Sequence, residues 1–212
     1  MNKLMMIEKE LRGKKVELNT LDKDRIALGV VDMVNGFVNE GGLASPRVEG
    51  IVKDIVALNE KTYGFKKFFF LDMHGESSAE FNSFPTHCVE GTTESDLIFA
   101  LRGGATLHSN TTMIPKNSTN GFFAPGFQAW LKENEDKVDT YIITGCVTDI
   151  CVLTFVLTLN TYFVQKNVKK RIIVPMNCVQ TYDFATHDGD LMNLFALYNM
   201  SINGVEIVDS IE

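Results

Sequence analysis

The sequence predicts a three-layer α/β/α fold with a central, mostly parallel sheet of about six strands. Short apolar runs alternate along the chain with stretches whose apolar residues recur at helical spacing, the order expected of parallel strands joined by crossover helices. The apolar runs show little alternation with polar residues, which is typical of strands covered on both faces. The chain has 212 residues, of which 45% are hydrophobic, and this suits one such domain.

The first half of the chain contains three predicted strands and one predicted helix. The runs IALGVVDM (26–33) and KKFFFLDMH (66–74) form the first two strands, and TTMIPK (111–116) ends a third. The proline in TTMIPK suits the end of a strand. Between the first two strands, apolar residues recur at helical spacing over 46–61, with Ser45 placed to cap that helix.

The second half continues the alternation. Its predicted elements are a short helix near 125–134, a strand at 140–145, a long helix at about 149–165, a strand at 171–178, a helix at about 184–200 and a last strand at 204–209. No internal repeat interrupts this series, so we expect one domain over 25–212. Residues 1–24 are charged and poorly periodic, and we expect an N-terminal arm or short helix there rather than core.

The charge and composition narrow the classes of partner. The formal net charge is −7 and no basic stripe interleaved with aromatic residues occurs, so we expect neither nucleic acid nor a membrane as a partner, but a small molecule. The richest apolar run, ICVLTFVLTL, is too short to span a bilayer. The start of the sequence reads MNKLMMIEKELRGKK, without a signal-peptide pattern, and the four cysteines show no C-x-x-C spacing. We therefore expect a cytoplasmic protein with reduced thiols.

Polar residues whose side chains are suited to catalysis or metal binding follow four of the predicted strands. Asp32, Asp72 with His74, Lys116 and Cys151 each stand at or just after a strand end. Ligands of parallel α/β sheets bind beyond the carboxyl ends of the strands. The sequence therefore predicts that these residues meet at one edge of the sheet.

Cys151 is the predicted nucleophile. It stands where the apolar strand YIIT breaks at Gly145 and a helix begins, and the N-terminus of a helix favours an anion such as a thiolate. A nearby lysine lowers the pKa of a thiol, and a nearby carboxylate can accept its proton and pass it to a leaving ammonia. Cys146 is the rival thiol, but it ends a strand and is expected to pack inward.

Three segments resemble the isochorismatase-like superfamily of cysteine hydrolases, and within it the nicotinamidases. They are VVDMVNGF with Asp32, MIPKNSTNGF with Lys116 and TGCVTDICV with Cys151, and the resemblance covers about 25–209. It implies that Cys151 is the nucleophile, Asp32 its proton acceptor and Lys116 the cation that holds the charged forms. The backbone N–H groups of Val147 and Cys151 are then the expected donors to the oxyanion. The resemblance also implies a cis peptide at Cys146–Val147.

The stretch LDMHGESSAEFNSFPTHCVEGT (71–92) contains a predicted metal site. Asp72 and His74 alternate at a strand end and therefore share a face, and the following loop can bring Glu80 and His87 to close the site. Mixed nitrogen and oxygen ligands suit one divalent ion of zinc, iron or manganese. The resemblance to nicotinamidases implies the same ligands, with Glu76 as the alternative to Glu80.

The resemblance also assigns two aromatic pocket walls, Phe37 and Phe84, and shows two departures. Val34 replaces a glutamine that is common in the first segment, and Thr119 stands where many members have tyrosine three residues after the lysine. Neither departure affects the expected triad or metal ligands. Both put the identity of the amide substrate in question.

Three further polar residues near the site have simpler interpretations. His187 and Asp188 stand near the start of the predicted helix after the fifth strand, where such residues often cap a helix or stay solvated. Asp149 is expected to be a first-turn carboxylate that supports the helix after the nucleophile. We expect none of the three to take a direct part in the site.

The leading functional hypothesis is a metal-dependent amidohydrolase that makes nicotinate and ammonia from nicotinamide. A second hypothesis is a related cysteine hydrolase acting on another small amide or ureido compound. A third is a catalytically silent metabolite-binding relative, against which the intact residues Asp32, Lys116 and Cys151 speak. The resemblance further implies a homodimer or homotetramer.

Overall fold

The structure, a computed structural model, describes residues 3–103 and 110–212. Its strands are β1 (Lys15–Val16), β2 (Ile26–Val31), β3 (Lys66–Asp72), β4 (Thr111–Lys116), β5 (Thr140–Cys146), β6 (Arg171–Pro175), β7 (Val179–Gln180), β8 (Glu206–Val208) and β9 (Ser210–Ile211). Its α-helices are α1 (Lys3–Leu11), α2 (Asn35–Val38), α3 (Pro46–Glu49), α4 (Val52–Lys61), α5 (Phe99–Arg102), α6 (Pro125–Asn134), α7 (Leu153–Gln165) and α8 (Gly189–Ile202).

The main sheet confirms the predicted fold class. Six strands lie in the order β4-β3-β2-β5-β6-β8, and the short β7 pairs with the end of β5 to make seven. Every strand pair in this sheet is parallel. The carboxyl ends of the strands therefore lie along one edge, and strand order reverses between β2 and β5, where ligands of such sheets usually bind.

The apolar strands are buried on both faces, as their composition predicts. All six residues of β2 are buried, and all of them except Gly29 contribute alternately to two hydrophobic clusters. Ala27 and Val31 lie in the cluster that also contains residues of α6, α7 and α8, while Leu28 and Val30 lie in the cluster that contains α4. This period of two places one layer of helices on each face of the sheet.

Several predicted element boundaries were wrong. The helix predicted over 46–61 is divided into α3 and α4, and Ser45 makes no capping bond with its side chain. The helix predicted from about residue 184 begins only at Gly189, because Asp188 accepts bonds from the backbone N–H groups of Asp190 and Leu191 and caps it there. The strand predicted over 171–178 ends at Pro175.

The N-terminal segment forms a helix and a short strand, and part of it is buried in the core. Helix α1 packs against α8, and its last residue, Leu11, belongs to a core cluster. Strand β1 pairs in parallel with β9, with Lys15 opposite Ser210. Val16 is buried there, so this segment contributes more to the core than its charged sequence predicts.

The segment Thr148–Gln165, which includes α7, is long and apolar enough to span a membrane by length and composition. Four residues of α7 are buried in the core of this domain, namely Phe155, Val156, Leu159 and Phe163. A helix packed on a sheet needs an apolar face of this kind, so its composition follows from its place in the fold.

Candidate active site

Four neighbouring strands bring polar side chains to one edge of the sheet, as predicted. Asp72 and Lys116 are the last residues of β3 and β4 and lie directly opposite each other in the register of these strands. Asp32 follows β2, and its backbone N–H donates to the carbonyl oxygen of Phe70 over 3.1 Å. Cys151 lies in the turn after β5. All four side chains are almost completely buried.

The ammonium group of Lys116 is the centre of this cluster. Its Nζ lies 2.9 Å from Oδ2 of Asp32 and 2.5 Å from Oδ1 of Asp72. The same Nζ is 3.9 Å from Sγ of Cys151. The structure therefore brings together the three residues predicted as a triad and adds Asp72 as a second carboxylate.

The carboxyl group of Asp32 is suited to move a proton near neutral pH. Burial raises its pKa, the positive charge of Lys116 opposes this, and the negative charge of Asp72 adds to it, so that the pKa is about 7. Its Oδ1 is buried and has no hydrogen-bond partner among the described residues, so one oxygen stays open to accept a proton. A group with this pKa can both take a proton and return it.

The pKa of the Cys151 thiol is raised overall, although the sequence predicted that the nearby lysine would lower it. Burial raises the pKa of the thiol well above its usual range, and Lys116 only partly opposes that effect. The negative charges of Asp32 and Asp72 raise it further. The resting thiol is therefore protonated, and its activation depends on transfer of the proton to a neighbouring base rather than on Lys116 alone.

The turn that carries Cys151 has an unusual backbone. The peptide bond between Cys146 and Val147 is cis, at the expected position. A π-helical turn spans Thr148–Val152, and the carbonyl oxygen of Val147 accepts from the N–H groups of both Ile150 and Val152. Val147 and Cys151, the predicted oxyanion donors, thus belong to one compact turn; their role as donors stays a prediction.

A second cluster of polar side chains lies next to the cluster around Lys116 and contains all four predicted metal ligands. Oδ2 of Asp72 lies 2.9 Å from Nε2 of His74 and 3.1 Å from Nε2 of His87. Oε1 of Glu80 lies 3.8 Å and 3.9 Å from the same two nitrogens. One ligand atom from each residue lies within 4.8 Å of the others. Glu76, the alternative to Glu80, is exposed.

Other contacts fix the two imidazole rings so that their Nε2 atoms face this group. Nδ1 of His87 lies 2.7 Å from the carbonyl oxygen of Pro85. Nδ1 of His74 lies 3.0 Å from Oδ1 of Asn117, which also accepts from the hydroxyl group of Ser78 over 3.1 Å. With the proton on Nδ1, each ring presents the lone pair of Nε2 inward, as a metal-binding histidine does.

The donor set fits a divalent transition-metal ion. Two imidazole nitrogens and two carboxylate oxygens are ligands that zinc, iron and manganese accept. Atoms bound to one such ion at about 2.0–2.2 Å lie roughly 3 to 3.5 Å apart. The separations of 2.9–3.9 Å between the ring nitrogens and the carboxylate oxygens are close to that range.

Comparison with known proteins shows the family of this chain. The family model of the Isochorismatase domain matches residues 27–204, which is most of the chain. The chain belongs to this family. It is an isochorismatase-family hydrolase, as the resemblance of its three segments predicted.

Similar proteins cover nearly the whole length of this hydrolase. Nicotinamidase 1 of Arabidopsis thaliana is 27% identical, over 97% of this chain and 94% of its own. The pyrazinamidase/nicotinamidase of Streptococcus mutans has a similar structure, with a TM-score of 0.70, 25% identity and coverage of 88% of this chain and 99% of its own. The pyrazinamidase of Pyrococcus horikoshii, solved in complex with zinc, has a TM-score of 0.69 at 21% identity, over 87% and 98% of the two chains.

Aromatic rings surround the histidines of the hydrolase. The rings of Phe37 and Phe84, the predicted pocket walls, have centroids 5.6 Å and 6.3 Å from that of His87. The ring of Phe81 is 5.3 Å from that of His74 and 5.7 Å from that of His87. The two predicted aromatic residues therefore adjoin the site, and Phe81 is a third.

The two departures from the family pattern occupy different environments. Val34 is completely buried, and its backbone forms an antiparallel bridge with Leu97. Thr119 is half-buried, and its carbonyl oxygen accepts from the hydroxyl group of Thr154. Val34 therefore has a packing role, whereas Thr119 lies in the segment that follows Lys116.

The three residues given simpler interpretations behave differently from one another. Asp188 caps α8, as expected of a residue at a helix start. His187 is not solvated: its Nε2 lies 2.8 Å from Oδ2 of Asp149, and its side chain is 17% exposed. The side chain of Asp149 is buried within the nucleophile turn and contacts His187, so it does more than support the first turn of a helix.

Sequence reasoning missed three residues at the site. Asn117 and Ser78 hold His74, and Phe81 packs against both histidines. The position of Asn117 directly after Lys116 was the only available signal. Ser78 and Phe81 belong to the short 3-10 helix Ala79–Asn82 and its N-cap, which is too short for a sequence pattern to indicate which side chains turn inward.

Proposed function

We propose that this hydrolase is a nicotinamidase, which converts nicotinamide and water into nicotinate and ammonia. The observation that carries the proposal is the sharing of Asp72 between two groups. One of its oxygens contacts Lys116 beside Cys151, and the other contacts His74 and His87. A nucleophile for an amide and a metal-ligand set that could orient a pyridine ring thus adjoin in one buried site. The similarity to Nicotinamidase 1 of Arabidopsis thaliana supports the same reaction.

The first half of the reaction forms a thioester. The thiol of Cys151 gives its proton to Asp32, and the sulfur attacks the amide carbon. The carbonyl oxygen becomes an oxyanion, for which the N–H groups of Val147 and Cys151 are the proposed donors. Asp32 then passes the proton to the leaving nitrogen, and the carbon–nitrogen bond breaks to release ammonia.

The second half hydrolyses the thioester. Asp32 takes a proton from water, the water oxygen attacks the thioester carbon, and the carbon–sulfur bond breaks. Asp32 returns its proton to the thiolate of Cys151, and the carboxylic acid product ionises by giving its proton to the released ammonia or to bulk water. Lys116, 2.9 Å from Asp32 and 3.9 Å from Cys151, stabilises whichever of the two is negatively charged at each stage.

Asp72, His74, Glu80 and His87 would hold one divalent ion, for which we propose zinc, with iron or manganese as the other candidates. When bound, such an ion supplies a Lewis acid to which the pyridine nitrogen of the substrate can coordinate. Phe37 and Phe84 would then bracket the ring of the substrate. We also propose a cytoplasmic homodimer or homotetramer that acts in NAD metabolism.

A second candidate is the hydrolysis of a different small amide by the same residues. Thr119 replaces a larger residue common in nicotinamidases, which leaves more room in the segment after Lys116. This change concerns the shape of the pocket and leaves Cys151, Asp32 and Lys116 in place. The two candidates therefore share a mechanism and differ in substrate.

Ammonia release from nicotinamide tests the proposal, in the wild type and in Cys151→Ala. We expect turnover by the wild type and a loss on the order of 10⁴-fold or more in the variant. Cys178→Ala is the matched control, since Cys178 is a buried thiol outside the site, and we expect its activity to be kept. Treatment with a chelator should abolish turnover and added zinc should restore it. No turnover by a zinc-loaded wild type would refute nicotinamide as the substrate, and a panel of small amides and ureido compounds would then test the second candidate.

A further inference from the structure

A buried contact connects the nucleophile turn to the segment before α8. Oδ2 of Asp149 lies 2.8 Å from Nε2 of His187, and the side chains are 3% and 17% exposed. Asp149 stands two residues before Cys151 within the π-helical turn Thr148–Val152. His187 stands two residues before the start of α8, which packs against that turn. The contact therefore joins the element that carries the nucleophile to a separate part of the fold.

His187 itself is held on two further sides. Its Nδ1 lies 3.1 Å from the carbonyl oxygen of Tyr182, and its ring stacks on the ring of Tyr182 with centroids 3.9 Å apart and planes at 14°. The backbones of His187 and Phe184 also exchange two hydrogen bonds of 2.9 Å and 3.1 Å. The position of the imidazole is therefore fixed independently of Asp149.

The two ring nitrogens of His187 contact two different elements of the fold. Both ring nitrogens of His187 face oxygen acceptors, the carbonyl group of Tyr182 and the carboxyl group of Asp149. The imidazole therefore links the carbonyl group of Tyr182 to the carboxyl group of Asp149, and its loss would leave both without this contact.

Asp149 depends on His187 for its position. Oδ1 of Asp149 is buried and has no hydrogen-bond partner among residues 3–103 and 110–212, and the contact with His187 is the one described for Oδ2. Without the imidazole, a buried carboxylate would be unpaired, which is strongly unfavourable. The turn would then move to expose this carboxylate to water, and the sulfur of Cys151 and the N–H groups of Val147 and Cys151 would move with it.

We propose that His187 is a positioning residue for the reaction: through Asp149 it fixes the turn that carries the nucleophile and the oxyanion donors. This inference rests on the proposed function for its consequence on turnover. A displacement of about 1 Å at a reacting group can lower a rate about 100-fold, whereas substrate binding by other residues is unaffected. The expected signature is therefore a fall in kcat with little change in KM.

The test compares His187→Ala with His187→Gln, whose side-chain amide can still donate to Asp149. For His187→Ala we expect kcat to fall about 10- to 100-fold, with KM for nicotinamide changed less than about threefold. His187→Gln should recover most of the loss. Asp188→Ala is the matched control: it removes the cap of α8 one residue away, so it should lower the melting temperature and leave kcat within about twofold.

The rate at which iodoacetamide alkylates Cys151 gives a readout that needs no substrate. Mass spectrometry of the peptide that contains Cys151 identifies the modified thiol, and we expect the rate constant to change in His187→Ala and to return towards the wild-type value in His187→Gln. The proposal is overturned if His187→Ala keeps both kcat and the alkylation rate within twofold, or if Asp188→Ala loses as much kcat as His187→Ala. Should the wild type not hydrolyse nicotinamide, the proposed function fails while alkylation still decides the role of His187.

Discussion

Asp72 and Lys116 end two adjacent parallel strands, lie opposite each other in register, and form a buried ion pair with Nζ 2.5 Å from Oδ1. The other oxygen of Asp72 contacts the two histidines of the metal-ligand group. The burial of Asp72 raises its pKa, but Lys116 and the histidines lower it more strongly, and the net effect is a pKa far below its usual range. Asp72 therefore stays ionised and links the nucleophile cluster to the proposed metal site.

Replacement of Lys116 with methionine should destabilise the protein as well as inactivate it. The variant would leave Asp32 and Asp72 buried without their shared cation, and removal of one partner of a buried ion pair costs about 3–5 kcal/mol. Urea denaturation should show a decrease of this size in the free energy of unfolding. Lys132→Met, at an exposed position on α6, is the control and should change it by less than about 0.5 kcal/mol. An unchanged free energy of unfolding for Lys116→Met would contradict the conclusion that Lys116 stabilises both buried carboxylates.

The rate of hydrolysis should fall on the acid side with a midpoint near pH 7. Asp32 must be ionised to accept the thiol proton, and its pKa is raised to about 7, mainly by burial. Its ionised fraction therefore rises with pH, from about one tenth at pH 6 to about nine tenths at pH 8. We expect kcat/KM for nicotinamide, measured from pH 5 to pH 8.5, to follow that fraction. A rate that is constant over this range would show that Asp32 is not the proton acceptor.

Asn117 should affect the affinity for metal without being a ligand. Its Oδ1 lies 3.0 Å from Nδ1 of His74 and keeps the Nε2 lone pair of that ring turned inward. Loss of such a supporting contact typically lowers metal affinity about 10- to 100-fold. Competition with a zinc-binding dye should show this for Asn117→Ala, whereas Ser118→Ala, at the exposed neighbouring position, should bind zinc as the wild type does. Equal zinc affinities for Asn117→Ala and the wild type would show that Asn117 does not support the metal ligands.

Gly145 should not tolerate even a methyl group. It has φ +111°, a conformation that favours glycine, and a Cβ atom there would lie 2.0 Å from the carbonyl oxygen of Val31. That oxygen belongs to the backbone of the central strand β2, so it cannot move aside. We expect Gly145→Ala to lower the free energy of unfolding by more than about 3 kcal/mol or to prevent folding. Gly42→Ala, where a Cβ would enter open space, should fold normally and serves as the control in the same denaturation experiment.

Most of the fold could be predicted from the sequence, because strands that are buried on both faces consist of continuous apolar runs. The strands β2, β3 and β5 and the helix α6 lie where the apolar runs placed them. Helix ends were predicted less well, since they depend on individual capping contacts. The start of α8 at Gly189 rather than near residue 184 follows from the bonds that Asp188 accepts, which no periodicity records.

The sequence by itself determined that the chain is an α/β protein and which side chains end its strands, because in a parallel sheet strand ends share one edge. It therefore indicated Asp32, Asp72, Lys116 and Cys151 together. Only the tertiary structure decided how loops complete the site: that Glu80 rather than Glu76 turns towards His74, that Asn117 holds that histidine, and that His187 meets Asp149 across 38 residues of chain. Such contacts arise from the path of the backbone through loops, where side-chain direction follows no period that a sequence could show.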